Sequence, residues 1–501
     1  MTTAFVRSRA SAGLAAPLVN VEVHLSPGLP GFTIVGLPES TVREARERVR
    51  SALINSYFDW PDYRITVNLA PADQPKAGGR FDLPIAMGIL AASGQIPAAA
   101  LAGRELFGEL GLDGSLRTCQ GLLSAVAAAT AASSLCAVPE IVAARLATVP
   151  NSRIIGAPDL LTMCAHLKAP QPPLSTGLTF PAITPSGRDI RDVRGQAAAK
   201  RALEVAASGG HHLLFVGPPG AGKTLLASRL PDLMPPCRDD ERLTQALIAD
   251  LMGVFSEGQV LNDQRPFRAP HHSASAAALI GGGSNAQPGE ISLAHGGVLF
   301  LDELTEFPRH VLDNLRQPLE SGEVMIARAK GKFKYPARFQ LVAAMNPCPC
   351  GYAGNSDTPC RCSPDLVNRY QSKVSGPLMD RIDLHLALER QQANNLFASP
   401  EMGESSATVR ARVVAVQDKQ RSRQGCLNNR LDGDTLLASV NLDAATEQWF
   451  TRACDRLKLS ARSIHRCLRV ARTLTDMANM GRVEQDHLLE AMSYRPMISE
   501  S

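Results

Sequence analysis

An eight-residue loop constrains the fold of this chain more than any other feature of its sequence. Its glycine spacing lets backbone N–H groups close around phosphates, and the N-terminus of the following helix adds a favourable dipole. Lys223 would reach the β- and γ-phosphates, and Thr224 would hold Mg²⁺. The alternative is a fortuitous glycine turn, but the apolar run Leu213–Val216 precedes the loop as a phosphate site requires. The loop consists of Gly217, Pro218, Pro219, Gly220, Ala221, Gly222, Lys223 and Thr224.

Two carboxylates and an asparagine follow apolar runs of buried-strand type further along the chain. Residues 297–301 end in Asp302, which would act on Mg²⁺ directly or through water, and Glu303, which would orient and deprotonate the attacking water. The run Gln340–Met345 ends in Asn346, which could position the same water. The competing interpretations are a solvated acidic pair and an asparagine that starts a turn. The alternation of strands, loops and helices here predicts a parallel α/β sheet.

Arginines in two later segments are candidates for contacting the γ-phosphate. Arg381 lies between two aspartates, and as an arginine finger it would act on the ATP of a neighbouring subunit and neutralise charge that develops in phosphoryl transfer. A local ion pair is the competing interpretation. In the helical segment 460–466, Arg462 is the first choice for a second γ-phosphate sensor and Arg466 is the second. A solvated basic helix is the alternative there.

Four of the eleven cysteines crowd into residues 348–362 as two C-x-C pairs. Four thiolates suit tetrahedral Zn²⁺, and a closed four-thiolate site leaves no open position for chemistry, so a structural zinc ion is predicted. Free reduced thiols and a redox pair are the alternatives. The four ligands would be Cys348, Cys350, Cys360 and Cys362.

The overall composition limits the class of protein. The length of 501 residues suggests about two to four domains, and 45% hydrophobic residues suffice for sizeable cores. Because the net charge is only +4, any contact with DNA must come from a local basic surface. No apolar run reaches the roughly 18 residues of a membrane helix, and no signal peptide is recognisable, so a cytoplasmic location and no membrane partner are expected. Cysteines in a cytoplasmic chain do not indicate disulfides.

The sequence pattern divides the chain into four segments. Residues 1–168 mix strands and helices, with a half-buried strand expected over 19–25. Residues 169–187 are rich in Pro, Ser and Thr and carry no periodicity, so a linker is predicted. An α/β ATPase core is expected over 188–400, and residues 401–501 have a helical pattern with arginine-rich polar faces.

The phosphate loop, the Asp-Glu strand, the Asn-tipped strand and the Asp-Arg segment, in this order, resemble AAA+ proteins of the magnesium-chelatase-like branch. In the same comparison, residues 192–196 look like the segment that cups the adenine, and residues 328–338 look like the hairpin that this branch inserts. Further segments resemble the ComM/YifB competence proteins, and the resemblance covers nearly the whole chain. These segments are residues 28–39, 68–73, 270–273 and 288–295.

The resemblance implies both a fold and a function. The fold is a Lon-protease-like α+β N-terminal domain, a P-loop AAA+ parallel α/β core and a C-terminal helical lid. The function is that of a hexameric ATP-dependent DNA helicase that promotes branch migration, which in natural transformation extends the integration of incoming single-stranded DNA. ATP and Mg²⁺ would be its cofactors, and single-stranded and branched DNA and recombination proteins its partners. The alternatives are a magnesium-chelatase-like protein-remodelling ATPase and an ATP-dependent protease.

Proteolysis is not expected of the Lon-like domain. Lon proteases cut peptides with a Ser–Lys pair in which the lysine activates the serine. Residues 76–82 contain no serine where that family has its nucleophile, and Leu123 lies at or near the position of the lysine. The domain would instead support assembly or DNA contact. Lys76 and Arg80, in a Gly-rich loop, are candidate DNA contacts, with ordinary surface charge as the alternative.

Basic residues cluster in two further places. Alternation along the predicted hairpin puts Lys330, Lys332 and Lys334 on one face, followed by Arg338, and this is the better candidate for phosphate contacts. A helical segment further on is the second candidate, although a solvated charged face explains it equally well. Its basic residues are Arg410, Arg412, Lys419, Arg421, Arg423 and Arg430.

Two pairs of adjacent histidines raise the question of a metal site. They are His211 with His212 and His271 with His272. Because adjacent side chains point in different directions, packing or polar contacts are the preferred interpretation of both pairs.

Overall fold

A computed structural model of the chain provides the fold. It describes residues 2–73, 76–169, 174, 188–253, 264–283, 286–328, 331–355, 358–390 and 403–495. Most of the predicted linker over 169–187 lies outside the described residues, as does Lys330. Among the helices that are described, none has the length and apolar character needed to cross a membrane.

Strands and helices alternate in the N-terminal part of the chain. The strands are β1 (Thr2–Arg9), β2 (Leu18–Ser26), β3 (Gly31–Val35), β4 (Arg64–Ala70), β5 (Arg104–Leu106), β6 (Glu109–Leu110), β7 (Leu116–Arg117), β8 (Leu135–Pro139) and β9 (Ile154–Ala157). The helices are α1 (Ser40–Arg43), α2 (Ala45–Asn55), α3 (Asp82–Ala92), α4 (Leu122–Ala131), α5 (Glu140–Leu146) and α6 (Leu160–Lys168). The main sheet has the order β3-β4-β2-β1-β5-β8-β9, with antiparallel β1–β2 and β2–β4 pairs and parallel pairs elsewhere.

The strand predicted over residues 19–25 is confirmed as β2. Val19, Val21 and Val23 are fully buried while the residues between them are more exposed, because successive side chains of a strand point to opposite faces. Helix α3 packs on β1 and β2 and is itself almost entirely buried. Gly88 permits this close packing, since a β-carbon at that position would lie 2.5 Å from Val23 Cγ2.

The central part of the chain, where an ATPase core is expected, forms a second α/β unit. Its strands are β10 (Leu213–Val216), β11 (Phe267–Arg268), β12 (Gly281–Gly282), β13 (Gln287–Pro288), β14 (Val298–Leu301), β15 (Glu323–Arg328), β16 (Gly331–Pro336), β17 (Gln340–Met345) and β18 (Leu384–Ala387). Its helices are α7 (Ala197–Gly209), α8 (Lys223–Ala227), α9 (Leu230–Leu233), α10 (Asp239–Leu251), α11 (Ala276–Ile280), α12 (Glu290–Leu293), α13 (Arg309–Asp313), α14 (Arg316–Ser321), α15 (Pro364–Gln371) and α16 (Gly376–Met379).

The core sheet is parallel, as predicted, with the order β11-β14-β17-β10-β18. Every residue of β14 and β17 is buried, which explains why each strand reads as a continuous apolar run. Since parallel strands present their carboxyl ends at one edge, the loop after β10 and the polar residues that follow β14 and β17 lie at the same edge.

An antiparallel hairpin of β15 and β16 is inserted before β17. It begins at Glu323, earlier than the expected start at Arg328, because the whole of β15 pairs with β16. Lys332 and Lys334 are both exposed, and Lys334 Nζ lies 2.7 Å from Glu323 Oε2 across the hairpin. Arg338 follows the second strand.

The C-terminal part is helical, as expected. Its helices are α17 (Ser406–Gln424), α18 (Gly433–Val440), α19 (Ala444–Arg456), α20 (Ala461–Met477) and α21 (Gln485–Ser493). Ser405 caps the first of them by accepting a hydrogen bond from the Thr408 N–H. Val413 and Leu468 from these helices share one apolar core with Leu213 of the sheet.

Most basic residues of α17 form hydrogen bonds or ion pairs with other parts of the chain. Arg410 donates to the carbonyl of Asp232, and Arg412 bridges Glu204 and Glu404. Arg423 lies 2.6 Å from the buried carboxylate of Asp476. These side chains are bound within the subunit, so α17 is a poorer candidate for DNA phosphates than the hairpin.

Helix α10 joins the ATPase core to the N-terminal domain. Its Asp250 accepts the backbone N–H of Leu123 at 2.9 Å and contacts Arg145 Nη2 at 3.0 Å. Ala246 of the same helix is buried in the apolar cluster around α4. The two domains are therefore held by a charged anchor and an apolar contact on one helix.

Lys76 and Arg80 are not surface residues, which corrects their assignment as DNA contacts. Their exposed fractions are 0% and 4%. The ammonium group of Lys76 donates to the carbonyl of Pro71, and the guanidinium of Arg80 donates to the carbonyl of Gln120. The prediction from sequence was wrong because the Gly-rich loop folds inward. Backbone carbonyl groups there accept hydrogen bonds from the two charged side chains.

Candidate nucleotide-binding site

The loop of residues 217–224 connects β10 to α8, as a phosphate loop must. Gly220 has φ of +78° and Gly222 has φ of +88°, a left-handed conformation that glycine adopts without steric cost. The loop thus places backbone N–H groups and the first turn of α8 at the carboxyl edge of the sheet, a ready site for phosphate.

Lys223 lies at the centre of this edge. Its Nζ donates to the carbonyl oxygens of Gly217 at 2.6 Å and Pro218 at 3.0 Å, and to Asn346 Oδ1 at 2.9 Å. Partial burial lowers the pKa of Lys223, and the negative charges of Asp302 and Glu303 oppose that effect. The structure therefore brings together the lysine, the two acidic residues and the asparagine that the sequence singled out.

Thr224 and Asp302 form a direct hydrogen bond. The hydroxyl of Thr224 donates to Asp302 Oδ2 at 2.6 Å. A hydroxyl and a carboxylate oxygen this close are the hard ligands that Mg²⁺ prefers, alongside water and phosphate oxygens. These residues fit a magnesium-nucleotide site.

Glu303 is held in an unusual backbone conformation beside Asp302. Its φ is +52°, which is uncommon for a residue other than glycine, and its N–H donates to Asp302 Oδ1 at 2.9 Å. Its carboxylate Oε2 lies 3.2 Å from His272 Nδ1. Strained residues of this kind cluster at functional sites, where the surrounding structure fixes the side chain.

His272 is a residue at this site whose relation to Glu303 the sequence did not reveal. Packing or polar contacts are the preferred interpretation of this histidine pair, and the structure shows a polar contact between His272 and Glu303. His271 instead bonds to Ser273 Oγ at 2.8 Å, so the two neighbours have different partners. One signal could have indicated the contact between His272 and Glu303. The two histidines come just after β11, and β11 pairs with β14, the strand that Asp302 follows.

The segment expected to cup the adenine lies against the phosphate loop. Gln196 Nε2 donates to the carbonyl of Ala221 at 3.3 Å and to that of Glu389 at 3.0 Å. The backbone of Gln196 has φ of +53°, which turns the chain into α7.

Arg381, Arg462 and Arg466 line a single cavity of about 670 Å³. The guanidinium of Arg381 donates to the carbonyl of Pro377 at 2.6 Å and to the carboxylate of Glu320. Arg381 is thus in an ion pair, as the competing interpretation expects, but its partner is Glu320, 61 residues earlier, and not a flanking aspartate among the ion pairs described. Arg462 is exposed, whereas Arg466 Nη1 lies 2.5 Å from Asp383 Oδ1.

Asp383 is the buried anion of this cavity. It accepts the N–H of His212 at 3.0 Å in addition to its bond with Arg466. Burial alone would raise the pKa of Asp383, but the charge of Arg466 and a hydrogen bond with His211 hold it well below its usual range. Arg466 therefore has a fixed carboxylate partner, which leaves Arg462 freer to meet a ligand.

The arginine cavity and the phosphate loop lie at opposite ends of the parallel strands of the core sheet. The cavity is at the amino ends of the strands, and the phosphate loop is at the carboxyl ends. His212, Phe339 and Asp383 line the cavity, and each directly precedes a parallel strand, β10, β17 or β18. The phosphate loop follows the other end of β10. From His212 to Gly217 an extended strand covers about 16 Å. The three arginines of the cavity are therefore remote from the phosphate loop of the same chain.

The four clustered cysteines lie together on the loop of residues 348–362. Sγ of Cys348 is 3.3 Å from that of Cys350 and 3.6 Å from that of Cys360, and all four sulfurs lie within 4.8 Å of one another. Four sulfurs bound to one tetrahedral zinc ion at about 2.3 Å lie roughly 3.8 Å apart, whereas a disulfide brings two sulfurs to about 2.0 Å. The observed spacing fits a shared metal ion and no disulfide.

Comparisons with known proteins agree with this geometry. The family model described as magnesium chelatase, subunit ChlI, matches residues 189–396. The model for subunit ChlI of Mg-chelatase matches residues 21–140, and the ChlI C-terminal model matches residues 403–495.

Two individual relatives align with 99% of the chain, and a third aligns with a part of it. Competence protein ComM of Haemophilus influenzae is 48% identical over an alignment of 505 positions, which covers 99% of this chain and 98% of that protein. The uncharacterized protein YifB of Salmonella typhimurium is 47% identical over 499 residues, covering 99% and 97%. Lon protease 2 of Bacillus subtilis is 27% identical over 148 residues, covering 28% and 27%. A Lon-protease-like N-terminal domain, a parallel AAA+ core and a helical lid make up the fold.

Proposed function

The chain belongs to the ComM/YifB family of magnesium-chelatase-like AAA+ proteins, and we propose that it is a hexameric ATP-driven DNA motor that promotes branch migration. One observation carries the ATPase part of this proposal. Where the phosphate loop begins α8, two adjacent residues bind the polar residues that follow the neighbouring strands: Lys223 donates to Asn346 at 2.9 Å, and Thr224 donates to Asp302 at 2.6 Å.

The proposed roles follow from chemistry and position. Lys223 binds the β- and γ-phosphates, and Thr224 and Asp302 hold Mg²⁺, which when bound offsets the phosphate charge. Glu303 takes the proton of the attacking water, and Asn346 positions that water. His272 holds the Glu303 carboxylate until the water and nucleotide are in place.

The arginine cavity supports assembly into a ring. Because Arg381 and Arg462 lie at the sheet edge remote from their own phosphate loop, they suit the nucleotide of a neighbouring subunit. A head-to-tail interface of this kind closes into a ring when the rotation between subunits allows it. Arg381 would leave Glu320 on assembly and neutralise charge developing on the γ-phosphate.

DNA contact is assigned to the inserted hairpin. Lys332 and Lys334 are exposed on β16, and phosphate neutralisation by such lysines releases counterions and supplies affinity. The name of the relative Competence protein ComM supports a role in competence. We propose that the setting is the integration of incoming single-stranded DNA during natural transformation, in the cytoplasm and with recombination proteins as partners.

The cysteine loop is proposed to hold a structural Zn²⁺ ion. Its sulfur spacing supports this assignment, as does the donation of the Ala353 N–H to Cys348 Sγ at 3.2 Å. A second such bond, from the Cys362 N–H to Cys360 Sγ, is 3.4 Å long. Backbone N–H groups directed at sulfur stabilise thiolates, which are the form that binds metal.

A three-strand DNA junction tests the motor function. We expect ATP to drive conversion of the junction by the purified protein, and the ATPase rate to rise with single-stranded or branched DNA. Lys223→Ala should abolish both effects. An ATPase rate indifferent to DNA, together with an unmoved junction, would instead favour a protein-remodelling ATPase like the chelatase subunits. Peptide cleavage sensitive to serine-directed reagents would favour a protease.

His272→Ala should lower the ATP hydrolysis rate about tenfold with little change in nucleotide affinity, the effect of losing the group that orients a general base. His272→Asn, which keeps a hydrogen-bond donor, should retain more activity. The matched control is His271→Ala, since His271 contacts Ser273 rather than Glu303. Equal losses in His271→Ala and His272→Ala, measured by steady-state phosphate release, would contradict a specific role for His272.

A further inference from the structure

The cysteine loop, residues 348–362, packs directly on the phosphate loop. Gly351 is buried, and a β-carbon built on it would lie 2.5 Å from Cδ and 3.1 Å from Cγ of Pro219. Pro219 is one of the two prolines of the phosphate loop. The backbone of the cysteine loop therefore touches the segment whose N–H groups are assigned to phosphate.

The cysteine loop is also tied to the residue that contacts Lys223. It starts two residues after Asn346, and the carbonyl of the intervening Pro347 accepts a hydrogen bond from Gln371 Nε2 at 2.8 Å. After the loop, Ser363 caps α15 by accepting the N–H of Leu366. Both ends of the loop are thus fixed to regular structure, and Gly351, near its first end, rests on Pro219.

The shape of the cysteine loop depends on its sulfurs. Between β17 and α15 the described residues contain no helix or strand. Two contacts span the loop from one C-x-C pair to the other, because Cys360 Sγ lies 3.6 Å from Cys348 Sγ and 3.5 Å from Cys350 Sγ. A metal ion bound by all four thiolates would fix both pairs, and with them the backbone at Gly351 between those pairs.

We propose that metal occupancy of the four-cysteine site controls nucleotide binding at the phosphate loop. With Zn²⁺ bound, Gly351 supports Pro219 and holds the loop in the form that accepts phosphate. Without the metal, this support is lost, and the phosphate loop pays an ordering cost when nucleotide binds. The inference rests on the proposed nucleotide and zinc sites and adds a regulatory link between them.

Two glycines of the same loop provide a matched test. Gly351 has φ of +84° and Gly354 has φ of +76°, so alanine is similarly strained at both positions. The new methyl group would meet Pro219 at Gly351, whereas no atom of the described residues lies within 4 Å of a β-carbon at Gly354. Both variants keep all four cysteines.

We expect Gly351→Ala and Gly354→Ala to retain zinc, while Gly351→Ala binds a fluorescent ATP analogue about tenfold more weakly than Gly354→Ala. Zinc is measured by elemental analysis of the full-length protein and affinity by titration. Cys350→Ser should lose zinc and show a similarly weakened affinity, whereas Cys426→Ser, a cysteine outside the cluster, should change neither. Thermal unfolding shows whether each variant is folded. If Cys350→Ser does not fold, the comparison of Gly351→Ala with Gly354→Ala tests the proposal instead.

Distinct outcomes separate this proposal from the nucleotide site itself. Equal affinity in the two glycine variants, or unchanged affinity in a folded zinc-free Cys350→Ser variant, would overturn the coupling while leaving the ATPase assignment intact. A wild-type protein that binds nucleotide but contains no zinc would also overturn it. A wild-type protein that binds zinc but no nucleotide would overturn the proposed function, and the coupling with it.

Discussion

Glu303→Gln should abolish most ATP hydrolysis, with a loss on the order of 10²–10⁴ in rate, while nucleotide binding survives. Glutamine has the shape of glutamate but cannot accept the proton of the attacking water. Binding should persist because the phosphate contacts come from Lys223, Thr224 and the loop backbone, which the substitution leaves in place. Steady-state phosphate release and titration with a fluorescent nucleotide measure the two effects separately.

Glu306→Gln is the matched control for this substitution. Glu306 lies three residues further along the same turn, but its carboxylate is 3.6 Å from Lys373 Nζ and has no contact with the phosphate loop among the bonds described. It should keep nearly full activity. If Glu306→Gln were as inactive as Glu303→Gln, the loss would reflect general charge removal and Glu303 would lose its role as base.

Arg381→Ala should bind ATP and hydrolyse it on the order of 10³-fold more slowly or worse, the effect of removing an arginine finger. The reason is that the guanidinium that would neutralise charge developing on the γ-phosphate is removed, while Arg462 remains to contact the nucleotide. Arg309→Ala is a suitable control, because the side chain of Arg309 is 67% exposed and lies outside the cavity. If Arg381→Ala kept full turnover, Arg381 would not be an arginine finger, and its ion pair with Glu320 would have only a structural role.

A mixing experiment decides whether Arg381 acts between subunits. Each Glu303→Gln subunit keeps its arginine, and each Arg381→Ala subunit keeps its catalytic base. In an equal mixture, about a quarter of the head-to-tail interfaces would combine the two intact groups. Activity should therefore return on mixing two inactive proteins. If the mixture stays inactive after subunit exchange, Arg381 acts on the nucleotide of its own subunit. That result would contradict the inference drawn from the distance between the arginine cavity and the phosphate loop.

The features that the sequence predicted best are those with a fixed local spacing. β10, β17 and the phosphate loop follow from apolar runs and glycines within a few residues, and the parallel order of the strands then brings Asp302 and Asn346 to Lys223. These inferences need only backbone periodicity and the rule that parallel strands end at one edge.

What the sequence did not predict depends on contacts between distant segments. Lys76 and Arg80 look like surface charges until the fold supplies carbonyl groups for them. His272 meets Glu303 only because β11 lies beside β14. The separation of Arg381 from its own phosphate loop likewise comes from sheet topology. No local pattern encodes these pairings, since each partner is many residues away.

Helix α10 gives the chain a route for transmitting force. One end is anchored by Asp250 to the backbone of Leu123, at or near the position where a Lon protease has its catalytic lysine. At the other end, Glu241 lies 3.1 Å from Arg265, which in turn binds the carbonyl of Gly296 just before β14. A helix of this length is a rigid rod of about 20 Å. A displacement of the N-terminal domain would thus reach, through α10, the start of the strand that Asp302 follows.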